Sequence, residues 1–323
     1  MNGWLVISRV LVAGGVMCWL AVCQVAVQQQ PKPGNKPSPE QHESHIRVDS
    51  TLVLVPVSVR DAVGHAVTGL EREDFKVFED RVEQEITQFS SEDAPISIGI
   101  VFDASGSMGS KLAKSRQAVA EFLRGSNPED EFFLIQFNDQ PELTVEFTSK
   151  PEEIQSRLAF VQSKARTSLL DAIYQAMNQM KKARHGRKAI LVISDGGDNS
   201  SRYTEREIMN SVREADVQIY AIGIFEPYAN RGRTVEEMNG PELLQEVAAQ
   251  TGGRSFQVEN LKDLPDTAVK IGMELRNQYV LGYSPRNRQR DGRYRRILVR
   301  IVQHRDRPPL VPTFRLGYFA PSQ

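Results

Sequence analysis

Asp103, Ser105 and Ser107 stand at alternating positions in the run Asp103-Ala104-Ser105-Gly106-Ser107, offering one carboxylate and two hydroxyls. On an extended strand end, alternate residues project to one side, so the three oxygens can converge. Gly106 removes the β-carbon that would crowd an approaching ligand. A pattern this short recurs by chance, and its surroundings decide its meaning. A second oxygen-bearing stretch, Arg166-Thr167-Ser168, precedes a helix that begins Leu169-Leu170-Asp171, and a third, Ser194-Asp195-Gly196-Gly197, closes the apolar run Lys188 to Ile193. Three such loops on one edge of a sheet make a site for a hard cation, which takes oxygen ligands.

The elements around these loops alternate between strand and helix from Ile96 to about Val258. Ile96 to Phe102 is an apolar run, Ser110 to Leu123 has helical periodicity, and Glu131 to Phe137 is a second strand. Asn138-Asp139-Gln140-Pro141 is too short a connection for anything but an antiparallel partner, Glu142 to Phe147. Lys188 to Ile193, Val217 to Phe225 and Ser255 to Val258 follow, each after a helical segment. The expected fold is α/β: a doubly wound, mostly parallel sheet with one antiparallel edge strand. Ligands of such sheets bind outside the carboxyl ends of the strands, where the Asp103 loop lies.

The flanks read differently. Residues 46–92 hold short alternating runs such as Thr51 to Val59, with the turns Asp61-Ala62-Val63-Gly64 and Glu79-Asp80, and suggest a small β-rich module. Pro56 predicts that its strand lies at a sheet edge or carries a bulge. Residues 261–323 contain a helix, Leu264 to Asn277, and three strands, Gln278 to Tyr283, Tyr294 to Val302 and Phe314 to Phe319. These strands are expected to complete the β-rich module, with the α/β unit of residues 95–260 inserted between its halves; two separate small modules are the alternative.

The constellation resembles the metal-ion-dependent adhesion site of von Willebrand factor type A domains, which joins an Asp-x-Ser-x-Ser loop to a distant Thr and a distant Asp-Gly. All of these elements occur here in that order, over residues 95–260. The resemblance implies that Ser105, Ser107 and Thr167 bind a metal directly, and that Asp103 and Asp195 bind it directly or through water. Gly69 to Phe75 and Gln278 to Pro285 are also similar to a group of exported bacterial, notably acidobacterial, VWFA-related proteins, a likeness that implies no known activity. Mostly neutral hydroxyl ligands would leave the ion much of its charge and one position for an outside oxygen. A carboxylate of a partner protein fits that position best. Mg²⁺ is the expected ion, with Mn²⁺ or Ca²⁺ as alternatives, and the lack of His and Cys ligands argues against Zn²⁺.

Composition narrows the partners. The 40 Lys and Arg balance the 41 Asp and Glu of this 323-residue chain, which lacks the basic footprint of nucleic-acid binding. Both cysteines, Cys18 and Cys23, fall in the apolar stretch of residues 1–27, which reads as a signal peptide. An uncleaved membrane anchor is the main rival, and Leu20 to Cys23 resembles a lipobox, although Val22 departs from it. Gln28 to His45 is Gln- and Pro-rich and reads as a disordered tether. An exported protein, periplasmic or extracellular, is therefore expected. Enzymes are the rival class: Gly-x-Ser-x-Gly, P-loop and dinucleotide signatures are absent from the sequence, which has only five histidines. A third reading is a scaffold with a structural or vestigial metal site. Ser168 and Asp171 stand at capping-box spacing, Asp198 and Asn199 read as solvated loop residues, and Lys181 to Lys188 reads as a solvated helix end.

Overall fold

Strand β5, Ile96–Asp103, is buried along all eight residues because it is hydrogen-bonded on both sides and covered on both faces. In the computed structural model, which describes residues 52–164, 166–225, 235–303 and 308–322, β5 pairs in parallel with β6 (Glu131–Phe137) and β8 (Arg187–Ser194). Beyond β8 lie β9 (Gln218–Ile224) and β10 (Ser255–Val258), both parallel; beyond β6 lies β7 (Pro141–Thr148), antiparallel. The six-stranded order is β10-β9-β8-β5-β6-β7, the expected parallel sheet with one antiparallel edge. The expected signal or anchor of residues 1–27, the tether of 28–45 and the first residues of the β-rich segment lie outside the described residues.

The two-residue period of the strands sorts their side chains onto two faces. Ile98, Ile100 and Phe102 pack with α1 (Leu112–Arg124), α2 (Pro151–Ala159) and α6 (Leu264–Arg276). Val101, Ile190 and Val192 pack with α3 (Leu169–Met180), α4 (Glu205–Glu214) and α5 (Val235–Gln250). The chain leaves β5 toward one face through α1 and leaves β8 toward the other through α4. Between these neighbouring strands the winding reverses, and sheets of this kind take ligands in a crevice at such a point, outside the carboxyl ends of the strands. That reversal puts the Asp103 and Asp195 loops side by side.

Strands from both flanks make two further antiparallel sheets. One runs in the order β13-β1-β11-β4, from Val311–Phe314, Val53–Arg60, Tyr279–Tyr283 and Ile86–Ser90. The other runs β14-β12-β2-β3, from Gly317–Phe319, Tyr294–Ile301, Phe75–Glu79 and Val82–Gln84. Their shared core holds Val53, Val55, Val57, Val59, Phe75, Val77, Leu281, Ile297 and Val299. The β-rich module is thus built from N- and C-terminal strands, with the α/β unit between its halves in sequence. Asp80 and Arg81 both take positive φ, 46° and 72°, and close β2 onto β3 as a two-residue hairpin turn.

Three expectations need correction. β1 is an interior strand despite Pro56; the proline sits just before Val57–Arg60, the stretch that β13 pairs, so its missing N–H breaks no bond to β13. Phe314 to Phe319 is two strands in different sheets, divided at Arg315-Leu316. Helix α6, grouped by sequence with the C-terminal strands, buries Leu264, Ala268, Ile271 and Leu275 in the α/β core beside α1. Among the described residues no helix is long and apolar enough to cross a membrane.

Candidate functional site

Asp103 is the last residue of β5, opposite Phe137 of β6, and is fully buried. The loop that follows is fixed from three sides. The Ala104 amide donates to the Phe137 carbonyl at 2.7 Å, the Ala104 carbonyl accepts from the Lys164 amide at 3.0 Å, and the Met108 side chain is buried in the core. Within it, the Ser105 amide donates to Asp103 Oδ1 at 2.8 Å, and the Ser105 and Ser107 hydroxyls lie 3.0 Å apart. The two hydroxyls meet, but through the 3-10 turn Gly106–Met108 rather than by the strand alternation expected, and the Asp103 carboxylate faces the Ser105 amide. Ser105 is buried and Ser107 is exposed, so the cluster opens to solvent on the Ser107 side.

Ser194 ties this loop to the next. Its hydroxyl donates to Asp103 Oδ2 at 2.6 Å and accepts from the Gly196 amide at 3.0 Å, linking the ends of β5 and β8. Asp195, next in the chain, is 5% exposed. Its Oδ2 accepts from Lys111 Nζ at 2.8 Å, while no donor among the described residues reaches its buried Oδ1. Gly196 turns at φ 81°, and a β-carbon on it would lie 2.7 Å from the backbone of Gly240 in α5. The loop thus needs glycine twice over: for the left-handed turn and for the close backbone approach.

Thr167 reaches the same edge through its backbone. Its amide donates to Asn199 Oδ1 at 3.0 Å, its carbonyl accepts from the Asn199 and Ser200 amides, and its side chain is buried. Beside it, the Ser168 amide and hydroxyl both donate to the Asn138 carbonyl at 2.7 Å. The expected capping box is consequently not formed: Ser168 is engaged with Asn138, and Asp171 accepts from the Arg202 and Tyr203 amides. Asp198 and Asn199 are not simply solvated either. Asp198 accepts from the Ser201 hydroxyl at 2.6 Å and from the Leu170 amide, and with Asn199 it braces the Thr167 loop against the Asp195 loop. The basic run is also partly engaged, since Arg184 pairs with buried Glu131 and Arg187 donates to the Ala94 and Leu275 carbonyls.

Burial, and then the charge of Asp195, push the Asp103 carboxyl up to about 7, although Ser194 and Ser105 donate to it. Two carboxylates are held close together out of water, with one buried acceptor atom unserved, and such groups favour a cation. The donors are oxygens only, two carboxylates and a run of hydroxyls, which fits Mg²⁺ or another hard ion. Among the described residues no cluster of three or more His, Cys, Asp and Glu could hold a metal, so any such site depends on the hydroxyls.

Lys111 is the principal residue missed by sequence reasoning. It caps the N-terminus of α1, where the helix dipole disfavours a cation, and that placement is the signal that could have marked it. Ser194, Asn138 and Asn199 escaped because their roles lie in contacts between loops distant in sequence.

Residues 98–197 match the model of the von Willebrand factor type A domain. The chain is 30% identical over 134 residues to the human inter-alpha-trypsin inhibitor heavy chain H4, an alignment covering 38% of this chain and 14% of that protein. It is 26% identical over 187 residues to an uncharacterized protein of Borreliella burgdorferi, covering 52% of this chain and 55% of the relative. The chain thus spans only part of the length of each of these relatives. A solved structure of an aerotolerance-related membrane protein from Bacteroides fragilis superposes at a TM-score of 0.46 and 19% identity, covering 56% of this chain and 98% of that one. The matched residues run from within β5 to the Asp195 loop after β8 and take in four of the six strands, and over them the chain carries a von Willebrand factor type A domain.

Proposed function

We propose that the protein binds a divalent cation, Mg²⁺ in the first place, and through it captures a carboxylate of a partner protein in adhesion or complex assembly. Asp103, Ser105, Ser107, Thr167 and Asp195 would hold the ion. When bound, the ion supplies a hard positive centre with a position for an outside oxygen. The observation that carries the reading is the buried Oδ1 of Asp195, which no donor among the described residues reaches, on a loop that Ser194 ties to the Asp103 loop with its paired Ser105 and Ser107 hydroxyls. Burying a charged acceptor without a donor is costly unless something positive meets it.

The chain's own residues prepare this centre. Ser194 and the Ser105 amide orient Asp103, Gly196 lets its loop lie against α5, and exposed Ser107 leaves the outer side accessible. Binding is favoured over catalysis because, among the described residues, neither serine is hydrogen-bonded to a histidine, and the carboxylate that Ser105 meets, Asp103, is itself a proposed ligand. His185 hydrogen-bonds the Glu129 carbonyl just before β6, at the opposite edge of the sheet. Export to the periplasm or cell exterior, by the N-terminal apolar segment as signal or anchor, belongs to the same proposal.

The decisive experiment pairs isothermal titration of Mg²⁺ with capture of partners from envelope extract, with and without chelator. The double substitution Asp103→Ala and Ser105→Ala is expected to abolish Mg²⁺ binding while the circular dichroism spectrum stays that of the folded protein. Unchanged Mg²⁺ affinity in the double variant would falsify the site. A partner retained equally with chelator present would instead favour a scaffold whose metal is structural.

A further inference from the structure

We propose that Lys111 tunes the type A site, weakening its hold on a divalent cation and in exchange making the bound cation demand an outside carboxylate. The inference rests on the cation-binding reading above and concerns a residue outside the proposed ligand set. Lys111 Nζ lies 2.8 Å from Asp195 Oδ2, and the two side chains are 9% and 7% exposed. An ammonium at the N-terminus of a helix is opposed by the helix dipole, so the Asp195 contact is what holds it there.

The charge count inside the crevice gives the consequence. Among the described residues, Asp103, Asp195 and Lys111 are its buried ionisable groups, two carboxylates and one ammonium, with a single net negative charge when both acids are ionised. The other charged side chains nearby are accounted for elsewhere. Lys164 and Arg166 are exposed to solvent, Asp171 pairs with Arg202, and Asp198 is held by Ser201 and the Leu170 amide. A divalent cation therefore overshoots neutrality by one positive charge, and one carboxylate from outside restores it. Without Lys111 the two aspartates alone would neutralise the cation, and an incoming carboxylate would bring uncompensated charge into a poorly solvated crevice. The ammonium also competes with the cation for Asp195. Lys111 thus shifts the two affinities in opposite directions, which a purely structural lysine would not do.

The test is isothermal titration of Mg²⁺ into the wild-type protein, Lys111→Met and Lys111→Arg, in sodium acetate and in sodium chloride of equal ionic strength. Acetate is the carboxylate probe, and by linkage its tightening of Mg²⁺ equals the tightening of acetate by Mg²⁺. In chloride, Lys111→Met is expected to bind Mg²⁺ more than about tenfold tighter than wild type, the removed charge lying within a few ångströms of the ligands. In acetate the wild type tightens further and Lys111→Met does not, while Lys111→Arg behaves as wild type. Equal or weaker Mg²⁺ binding by Lys111→Met, or an undiminished acetate effect, overturns the role of Lys111 and leaves the cation site standing. A wild-type protein that takes up no Mg²⁺ removes the cation reading and this inference with it. Should Lys111→Met lose its folded spectrum, Lys111→Gln carries the same expectations, and loss of folding in both makes the lysine structural and overturns the proposal.

Discussion

Two buried polar clusters of this molecule have opposite characters. At the carboxyl edge of the six-stranded sheet, Asp103 and Asp195 are crowded together and no donor among the described residues reaches Asp195 Oδ1. At the seam where β9 and α6 meet β1, the polar atoms close on one another. Tyr220 hydroxyl donates to Glu274 Oε1, Arg254 donates to Glu274 Oε2 at 2.6 Å, and Gln278 Nε2 bridges Ser58, Gln218 and Tyr220. Burial, together with the charge of Glu274, raises the Tyr220 hydroxyl above its ordinary value and keeps it a neutral donor. The closed network specifies how the α/β unit joins the β-rich strands, whereas the open one keeps a buried acceptor without a donor among the described residues. What sets the first cluster apart is a buried carboxylate oxygen that no donor among the described residues reaches, close to a second buried acid.

The largest effect that would test this contrast is at the seam. Glu274→Ala strands the Arg254 guanidinium and the Tyr220 hydroxyl, and removal of one partner of a buried ion pair costs about 3 kcal/mol or more. Urea unfolding should show that loss with Mg²⁺ affinity unchanged. The Asp103→Ala and Ser105→Ala double variant should do the reverse, losing the ion while costing less stability than Glu274→Ala, since it also removes a crowded buried charge. Equal destabilisation by the two would erase the distinction between the clusters.

How much of this could be read from the sequence depended on distance along the chain. The parallel strands were legible because β5, β8 and β9 are apolar on both faces, and β7 was legible because four residues allow only an antiparallel return. Asp103, Ser105 and Ser107 stood out in the sequence by their spacing, but it is the 3-10 turn Gly106–Met108, following the end of β5 at Asp103, that brings the two hydroxyls together, not strand alternation. Lys111 was not, because its partner is 84 residues away and meets it only once the winding reverses between β5 and β8. The capping box failed for a related reason: Ser168 and Asp171 have the right local spacing, but Asn138 and the Arg202 amide, from other loops, take their hydrogen bonds. Pro56 misled because the edge rule concerns its own missing bond, and β13 pairs only the second half of β1.

A smaller effect sharpens the comparison within the open cluster. Gly196→Ala places a β-carbon at φ 81° and 2.7 Å from the Gly240 backbone, so α5 or the Asp195 loop must shift. The strain should cost about 1–3 kcal/mol and displace Asp195. Mg²⁺ affinity is expected to fall at least about tenfold, because cation sites tolerate little displacement of their ligands. Gly252→Ala is the control. It is as strained, at φ 76° against the Arg315 backbone, but it lies in the turn before β10, and it should lower stability while leaving Mg²⁺ binding intact.

The smallest expected effect belongs to another buried acid, Glu131, which shows what a satisfied carboxylate does. Burial raises its pKa, but hydrogen bonds from the Ser97 hydroxyl and from the Arg184 amide and guanidinium outweigh that and hold it below the usual value. Because the folded-state pKa is depressed, the contribution to stability is fully present above the unfolded value of about 4.3 and is lost as pH falls through the folded value. Glu131→Gln should therefore lower stability at neutral pH and flatten its decline below about pH 5. Unfolding free energies of the two proteins measured across that range should converge on the acid side. Parallel curves would mean that Glu131 is no better satisfied than the acids of the cation site, and that the difference between open and closed clusters does not extend to the opposite edge of the sheet.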